Sequence, residues 1–248
     1  MKNKVAAVVL AAGRGSRMKS DLPKVLHMVN DEPLLVMPLR TLTSIKMSQI
    51  ITVVKHQAEL VAPVAKPFAD IAYQSEAYGT AKAAEACLPV LNPEIDTVMV
   101  VNGDDSMFYE AKTFKDVLKK HKKENNTITF ITLLKKNPAG FGRVIYDKQG
   151  NFKKIVEEKD ATIREKKTNE VNDGVYIFDR KFLEENIGQV VPSEVTGEYY
   201  LTDLINMATE SGKRVGTYLL ENSLEFYGIS TQADVQAANE LYANVKNV

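Results

Sequence analysis

Cysteine occurs once, at Cys87, so no internal disulfide can form and a small secreted scaffold held by cross-links is excluded. The chain suits a reducing compartment, and Cys87, in an alanine-rich stretch of helical pattern, reads as a small buried hydrophobe. Neither sign of charge is in excess: 32 basic side chains balance 32 acidic ones, for a formal net charge of zero. A general attraction to nucleic acid or to an anionic membrane is thereby excluded, and any phosphate must be held locally, in a site. Long apolar runs are missing too. Nothing approaches transmembrane length, and the basic N-terminus leads into a Gly-Arg loop instead of a cleavage-like site. A cytoplasmic protein is expected. Internal repeats, low-complexity tracts and linkers are also absent. The densest charge run, Lys119-Lys120-His121-Lys122-Lys123, has no interleaved aromatics on which bases could stack, so it reads as a solvated helix face.

What remains is an ordinary globular composition, 44% hydrophobic and 26% charged over 248 residues, long enough to bury a substantial core. The apolar run that begins at Val5 reads as a strand buried on both faces. Helical spacing follows over 34–45, then a buried strand over 49–54 and a short helix over 56–66 in which Pro63 argues for a break. A strand over 71–73, an alanine-rich helix over 80–91, an apolar strand over 96–101, a helix over 114–125 and a β-branched strand over 127–134 complete the alternation. It predicts an α/β fold, doubly wound around a mostly parallel, Rossmann-like sheet, with ligands beyond the carboxyl ends of the strands. From Gly140 the texture changes: strands over 142–146 and 152–156 flank Asp147-Lys148-Gln149-Gly150 as a hairpin, and 171–178 adds another strand. This β-rich insertion would wall a second substrate. Helices over 182–187, 199–211 and 231–246, with a strand over 215–220, close the chain.

The first strand ends on Leu10-Ala11-Ala12-Gly13-Arg14-Gly15-Ser16-Arg17-Met18, a glycine-rich cationic loop, followed by Pro23-Lys24. Glycines let the backbone turn and expose N–H groups, and a concave array of such donors takes phosphate oxygens. A dinucleotide fingerprint needs a third glycine where Met18 stands. A P-loop nearly fits at Met18-Lys19-Ser20, but the same methionine blocks the close approach that its last glycine allows. A nucleotidyltransferase loop, Gly-x-Gly-x-Arg with a downstream Pro-Lys, has all its positions filled. Pro23 fixes the backbone before Lys24, so its ammonium can meet a phosphate with little loss of freedom. Asp104 stands just past an apolar strand behind Asn102-Gly103; its carboxylate suits magnesium shared with substrate phosphates, or equally an ordinary turn. Gln74 and Tyr78-Gly79-Thr80-Ala81 lie where a strand opens into a helix: the amide can pair with a pyrimidine edge, or Thr80 can simply cap the helix.

Over Leu10 to Met18 and Leu22-Pro23-Lys24-Val25-Leu26 the chain resembles the sugar-1-phosphate nucleotidyltransferases, most of all the N-terminal domains of bacterial N-acetylglucosamine-1-phosphate uridylyltransferases. Gly140-Phe141-Gly142-Arg143, Val156-Glu157-Glu158-Lys159-Asp160-Ala161, Glu170-Val171-Asn172-Asp173-Gly174-Val175-Tyr176 and Gly197-Glu198-Tyr199-Tyr200-Leu201-Thr202-Asp203 continue the likeness in order. The resemblance implies a reaction of UTP with a sugar-1-phosphate, aided by Mg²⁺. It implies a nucleotide site of Leu10, Ala11, Ala12, Gly13, Arg14, Gly15, Ser16, Lys24, Gln74, Gly79, Thr80 and Gly103, with Arg17, Lys24 and Asp104 at the reacting centre. Gly140, Glu157, Asn172 and Thr202 would hold the sugar, and Asp104 with Ser230 the metal. Ser230 replaces an asparagine of the family; it or Thr231 reads equally as the N-cap of the last helix. Lys82, Ala77, Asp105 and Asp173 are further departures. The expected organisation is one domain over 1–248, its nucleotide half 1–135 and its sugar half 136–248. Hexapeptide repeats are absent, so acetyl transfer is not expected. Two other classes remain open at this point: a P-loop-like NTPase or kinase releasing γ-phosphate, and a silent nucleotide-sugar binding module stabilised by ligand without product.

Overall fold

The structure, a computed structural model, describes residues 4–75, 77–105 and 107–245, with side chains as far as Tyr242. Lys246, the expected last residue of the final helix, lies outside the described residues. In chain order the elements are β1 (Val5–Ala11), β2 (Met28–Val29), β3 (Glu32–Pro33), α1 (Val36–Ser44), β4 (Gln49–Val54), α2 (Ala58–Ala65), β5 (Asp70–Tyr73), α3 (Thr80–Glu85) and β6 (Thr97–Asn102). Then follow α4 (Ala111–Lys123), β7 (Ile128–Leu134), β8 (Arg143–Tyr146), β9 (Phe152–Val156), β10 (Glu170–Asp179), α5 (Arg180–Asn186), α6 (Thr202–Glu210), β11 (Val215–Leu219) and α7 (Gln232–Val245).

The main sheet runs β11-β7-β10-β6-β1-β4-β5, with β8 joined to β10 and β9 to β8. All residues of β1 are buried, because it is central and covered on both faces. Ala6, Val8 and Leu10 point into one layer with Ala84, Leu183 and Leu204, whereas Ala7, Val9 and Ala11 point into the other with Leu39, Val61 and Phe114. That two-sided burial is why the strand is apolar throughout and does not alternate. β1 pairs parallel with both β4 and β6. The chain winds outward from β1 to β4 and β5, then returns to β6 on the other side, so the order reverses between β1 and β6. The crevice at such a switch point is where open α/β sheets bind ligands.

Three local expectations are corrected, and one element is added. The helix expected over 56–66 is α2, and it runs through Pro63; the missing hydrogen bond is offset by burial of Val61, Ala62 and Ala65. The helix expected over 80–91 stops at Glu85 and resumes as a 3-10 turn, Leu88–Val90, since Pro89 has no N–H to continue the ladder. The helix expected over 199–211 starts only at Thr202. A hairpin, β2 and β3, occupies a stretch to which the sequence pattern assigns no element; Asn30 at φ 51° and Asp31 at φ 60° make the primed turn that such hairpins prefer. β10 enters antiparallel between β6 and β7. Its first residues therefore lie beside the carboxyl ends of its neighbours. A third cluster, including Met18, Leu34, Met107 and Ile229, packs α7 and the hairpin beneath the first loop.

Candidate active site

Beyond β1 the chain turns through Gly15 into a 3-10 turn, Ser16–Met18. Gly15 stands at φ 60°, and a Cβ there would lie 2.6 Å from the Cβ of Lys24. Glycine is needed both for the left-handed backbone and for the close approach of Lys24. Lys24 opens the next 3-10 turn after Pro23, anchored by buried Val25 and Leu26. Its Nζ is in direct ion-pair contact with Oδ2 of Asp104, and both side chains are largely buried. Asp104 is delivered from the other side of the switch point: the Gly103 N–H donates to the Leu10 carbonyl at 2.9 Å, stitching the end of β6 to the end of β1. A cavity of about 210 Å³ opens there, lined by Leu10, Ala11, Gly13, Ser16, Arg17 and Asp104 among others. Arg14 does not line it; its Nη2 donates to the Tyr78 hydroxyl at 3.0 Å. Ala12 is buried just past the end of β1.

Gln74 follows β5, with its backbone N–H on the Val54 carbonyl at 3.0 Å, while its Nε2 donates to Ala77 O at 2.9 Å. Gly79, at φ 117°, lies against the backbone of Tyr199. Tyr199 N–H donates to Tyr78 O at 3.1 Å, Ala81 N–H to Tyr199 O at 3.0 Å, and Leu201 N–H to Thr80 Oγ1 at 2.9 Å. Residues 199–201 thus brace this loop and begin no helix. Gly79, not Thr80, takes the cap position of α3.

The residues expected to wall a second substrate form a chain of contacts. Thr202 Oγ1 donates to Glu157 Oε1 at 2.8 Å, Glu157 lies beside Gly142, and Gly142 O accepts the Asn172 N–H at 2.9 Å. Gly140 opens this loop at φ 85°. Burial raises the Glu157 carboxyl above the usual range, reinforced by Asp203, Asp160 and Glu198. Asn172 donates to the Tyr176 hydroxyl at 2.6 Å and leaves its Oδ1 buried without a partner. Glu158 turns the other way, to buried Arg143 at 2.5 Å. Near the end, Thr231 Oγ1 accepts from Asp234 N at 3.2 Å, and Asp234 Oδ2 accepts from the Ser230 and Thr231 N–H groups at 2.9 and 2.7 Å. This reciprocal cap makes Thr231 the N-cap. Burial acts to raise the Asp234 carboxyl, but those bonds and the Lys24 charge hold it below its ordinary value. Gln232 Nε2 donates to Met18 O at 3.2 Å, tying α7 to the first loop.

Sequence reasoning gave no role to Tyr109, whose hydroxyl donates to Asp173 Oδ2, or to Lys55, whose Nζ donates to Ser75 O at 2.7 Å. Lys55 carried one signal, a lone cation closing an apolar strand; the Tyr109 contact, spanning 64 residues, carried none. Asp173 is enclosed on β10, and burial with the nearby charge of Asp105 pushes its carboxyl well up. Among the described residues no group of three or more His, Cys, Asp or Glu side chains could cage a metal ion. Asp104, a quarter exposed, fits a magnesium that takes one carboxylate and completes its shell with phosphates and waters.

A family model described as nucleotidyl transferase matches residues 6–232. Bifunctional protein GlmU of Carboxydothermus hydrogenoformans is 38% identical over 228 residues, covering 92% of this chain and 50% of the relative. The protein of the same name from Pelotomaculum thermopropionicum is 40% identical over 226 residues, covering 91% and 49%. The chain thus spans about half the length of the curated relatives it matches. Among solved structures, a Bacillus anthracis protein described as a glucose-1-phosphate thymidylyltransferase, in complex with a sucrose, superposes with a TM-score of 0.77 at 20% identity, covering 96% of this chain and 94% of that one. At that identity the likeness is one of fold.

Proposed function

The chain belongs to the nucleotidyl transferase family, and from that premise we propose that it joins UTP to a sugar-1-phosphate, N-acetylglucosamine-1-phosphate or glucose-1-phosphate, giving a UDP-sugar and pyrophosphate. The observation that carries this reading is the Lys24–Asp104 pair at the β1/β6 switch point, beside a loop of backbone donors and Arg17. An oxygen of the sugar phosphate attacks the α-phosphorus of UTP; the bond from that phosphorus to the bridging oxygen breaks, and pyrophosphate leaves. The nucleophile is already anionic, so no general base is required. The protein's work is alignment and neutralisation of phosphate charge. Gly13, Gly15 and Ser16 offer backbone amides, and Arg17 and Lys24 offer cations. Asp104 would hold Mg²⁺, which neutralises phosphate charge when bound. Ser230 is the weaker candidate ligand, since a hydroxyl binds magnesium less well than a carboxylate does.

Gln74, Gly79 and Thr80 would receive the base against Leu10, Ala11 and Ala12. Gly140, Glu157, Asn172 and Thr202 would hold the sugar; the partnerless Asn172 Oδ1 is an acceptor suited to a hydroxyl. This assigns the nucleotide to residues 1–135 and the sugar to 136–248. No helix among the described residues is long and apolar enough to cross a membrane. Together with the balanced charge and single cysteine, that supports a cytoplasmic setting. The test is a matrix of nucleoside triphosphates and sugar-1-phosphates with Mg²⁺, scored for pyrophosphate. Product is expected with UTP and one of the two named sugars. Release of γ-phosphate, or thermal stabilisation by ligands with no pyrophosphate from any pair, would overturn the proposal.

A further inference from the structure

Tyr78 sits on the loop between β5 and α3 with 45% of its surface exposed, yet its ring is not idle. Lys55 Nζ lies 3.8 Å from the ring centroid and also donates to the Ser75 carbonyl, so one side of the ring is pinned to its own loop. From the loop after β1, Arg14 brings its Cζ to 5.5 Å from the same centroid and donates from Nη2 to the phenol oxygen at 3.0 Å. The two loops that flank the proposed nucleotide site are therefore joined by one arginine–tyrosine contact. It draws Arg14 away from the cavity that its neighbours Gly13, Ser16 and Arg17 line.

The chemistry of that contact is unequal to the alternative beside it. The phenol is a neutral acceptor offering one oxygen, whereas a phosphate is anionic and accepts two parallel N–H bonds from a guanidinium, adding a second bond and the attraction of opposite charges. We propose that Tyr78 is a positioning residue that holds Arg14 at the edge of the cleft until a nucleoside triphosphate takes the guanidinium onto its phosphates. The inference rests on the nucleotide site proposed above. It assigns Tyr78 an unexpected sign: the hydroxyl opposes binding, because its bond to Arg14 must be broken first.

The test is calorimetric titration of the full chain with UTP and Mg²⁺. Tyr78→Phe keeps the ring beside Lys55 and loses the hydroxyl. It should tighten UTP binding roughly three- to tenfold, the net worth of one ordinary, solvent-exposed hydrogen bond. Uridine, which has no phosphate to recruit Arg14, should bind both proteins equally. Arg14→Gln should weaken UTP binding, and Tyr78→Phe added to Arg14→Gln should change nothing further. Unchanged or weaker UTP binding in Tyr78→Phe overturns the inference, as does an equal gain in the Arg14→Gln background or a loss of uridine affinity. If UTP binds to none of the four proteins, the nucleotide reading falls with it; if UTP binds and the hydroxyl has no effect, only the role of Tyr78 falls.

Discussion

Alanine at Gly79 should damage the fold, and alanine at Gly13 should damage only phosphate binding. Gly79 has φ 117°, and a Cβ there would lie 2.2 Å from the Tyr199 carbonyl oxygen and 2.4 Å from its nitrogen. Both are backbone atoms and cannot rotate aside. The dihedral alone, in a region that is essentially glycine-only, costs about 1–3 kcal/mol for a residue with a side chain. Relieving the overlap pushes the 199–201 brace away, which strains three hydrogen bonds at 2.9 to 3.1 Å, each worth about 1 kcal/mol. A total of about 3–5 kcal/mol is a large part of the ~5–15 kcal/mol that holds a domain together. At about 2–4 °C per kcal/mol for a chain of this size, the melting temperature should fall by about 10 °C. Gly13 has no atom within 4 Å of its would-be Cβ, so Gly13→Ala should melt within about 2 °C of wild type while losing affinity for UTP. Thermal melts followed by circular dichroism, with UTP titrations alongside, separate the two. A Gly79→Ala protein that melts with wild type would show that the contact with Tyr199 does not hold this loop.

Lys24→Ala and Asp104→Ala should each lower turnover by at least about a hundredfold, the scale of losing one electrostatic stabiliser, read as pyrophosphate release at saturating substrates. Near-normal rates in both would remove the pair from the mechanism. Asp173 offers a test of opposite sign. Its carboxyl is raised in the folded protein by burial and by Asp105, so the contribution of this one group to stability is fully present below the ordinary carboxylate range and is lost as pH rises through that raised value. Asp173→Asn removes the penalty and should melt higher at pH 8, with the gap closing as pH falls toward the ordinary carboxylate range. A gap that does not change with pH would mean the carboxyl is ordinary and the gain comes from packing.

The parts of this site legible in the sequence are those in which residue type and local backbone decide the outcome together. The loop after β1 is one: Gly15 must be glycine where the backbone is left-handed and Lys24 approaches, and Pro23 fixes the turn that presents Lys24. The ends of β1 and β6 were readable as strand ends because a strand covered on both faces must be apolar until it reaches the ligand side. The hairpin at Asn30-Asp31 carried its own signal, two residues tolerant of positive φ, in a stretch too short for periodicity to register.

What the sequence could not carry is partnership across the chain. A buried strand has the same apolar pattern whether its neighbours run with it or against it, so nothing local says that β10 lies antiparallel between β6 and β7. Yet that choice has chemical consequences. Had β10 run parallel, Asn172 and Asp173 would lie at the amino end of the sheet, opposite the loop that holds Lys24. Running antiparallel, its first residues come to the carboxyl end, where Asn172 pairs in register with Thr132 and Gly174 meets the Asn102 side chain just before Asp104. The direction of this one strand thus brings the residues proposed for the sugar to those proposed for the nucleotide, and it lets the acids at 105 and 173 influence each other across 68 residues of sequence. Single-residue readings treat those two acids as separate departures; the fold makes them neighbours. Variation at one should therefore change the tolerance of the other, and Asp105→Asn should shrink the pH-dependent gain expected from Asp173→Asn.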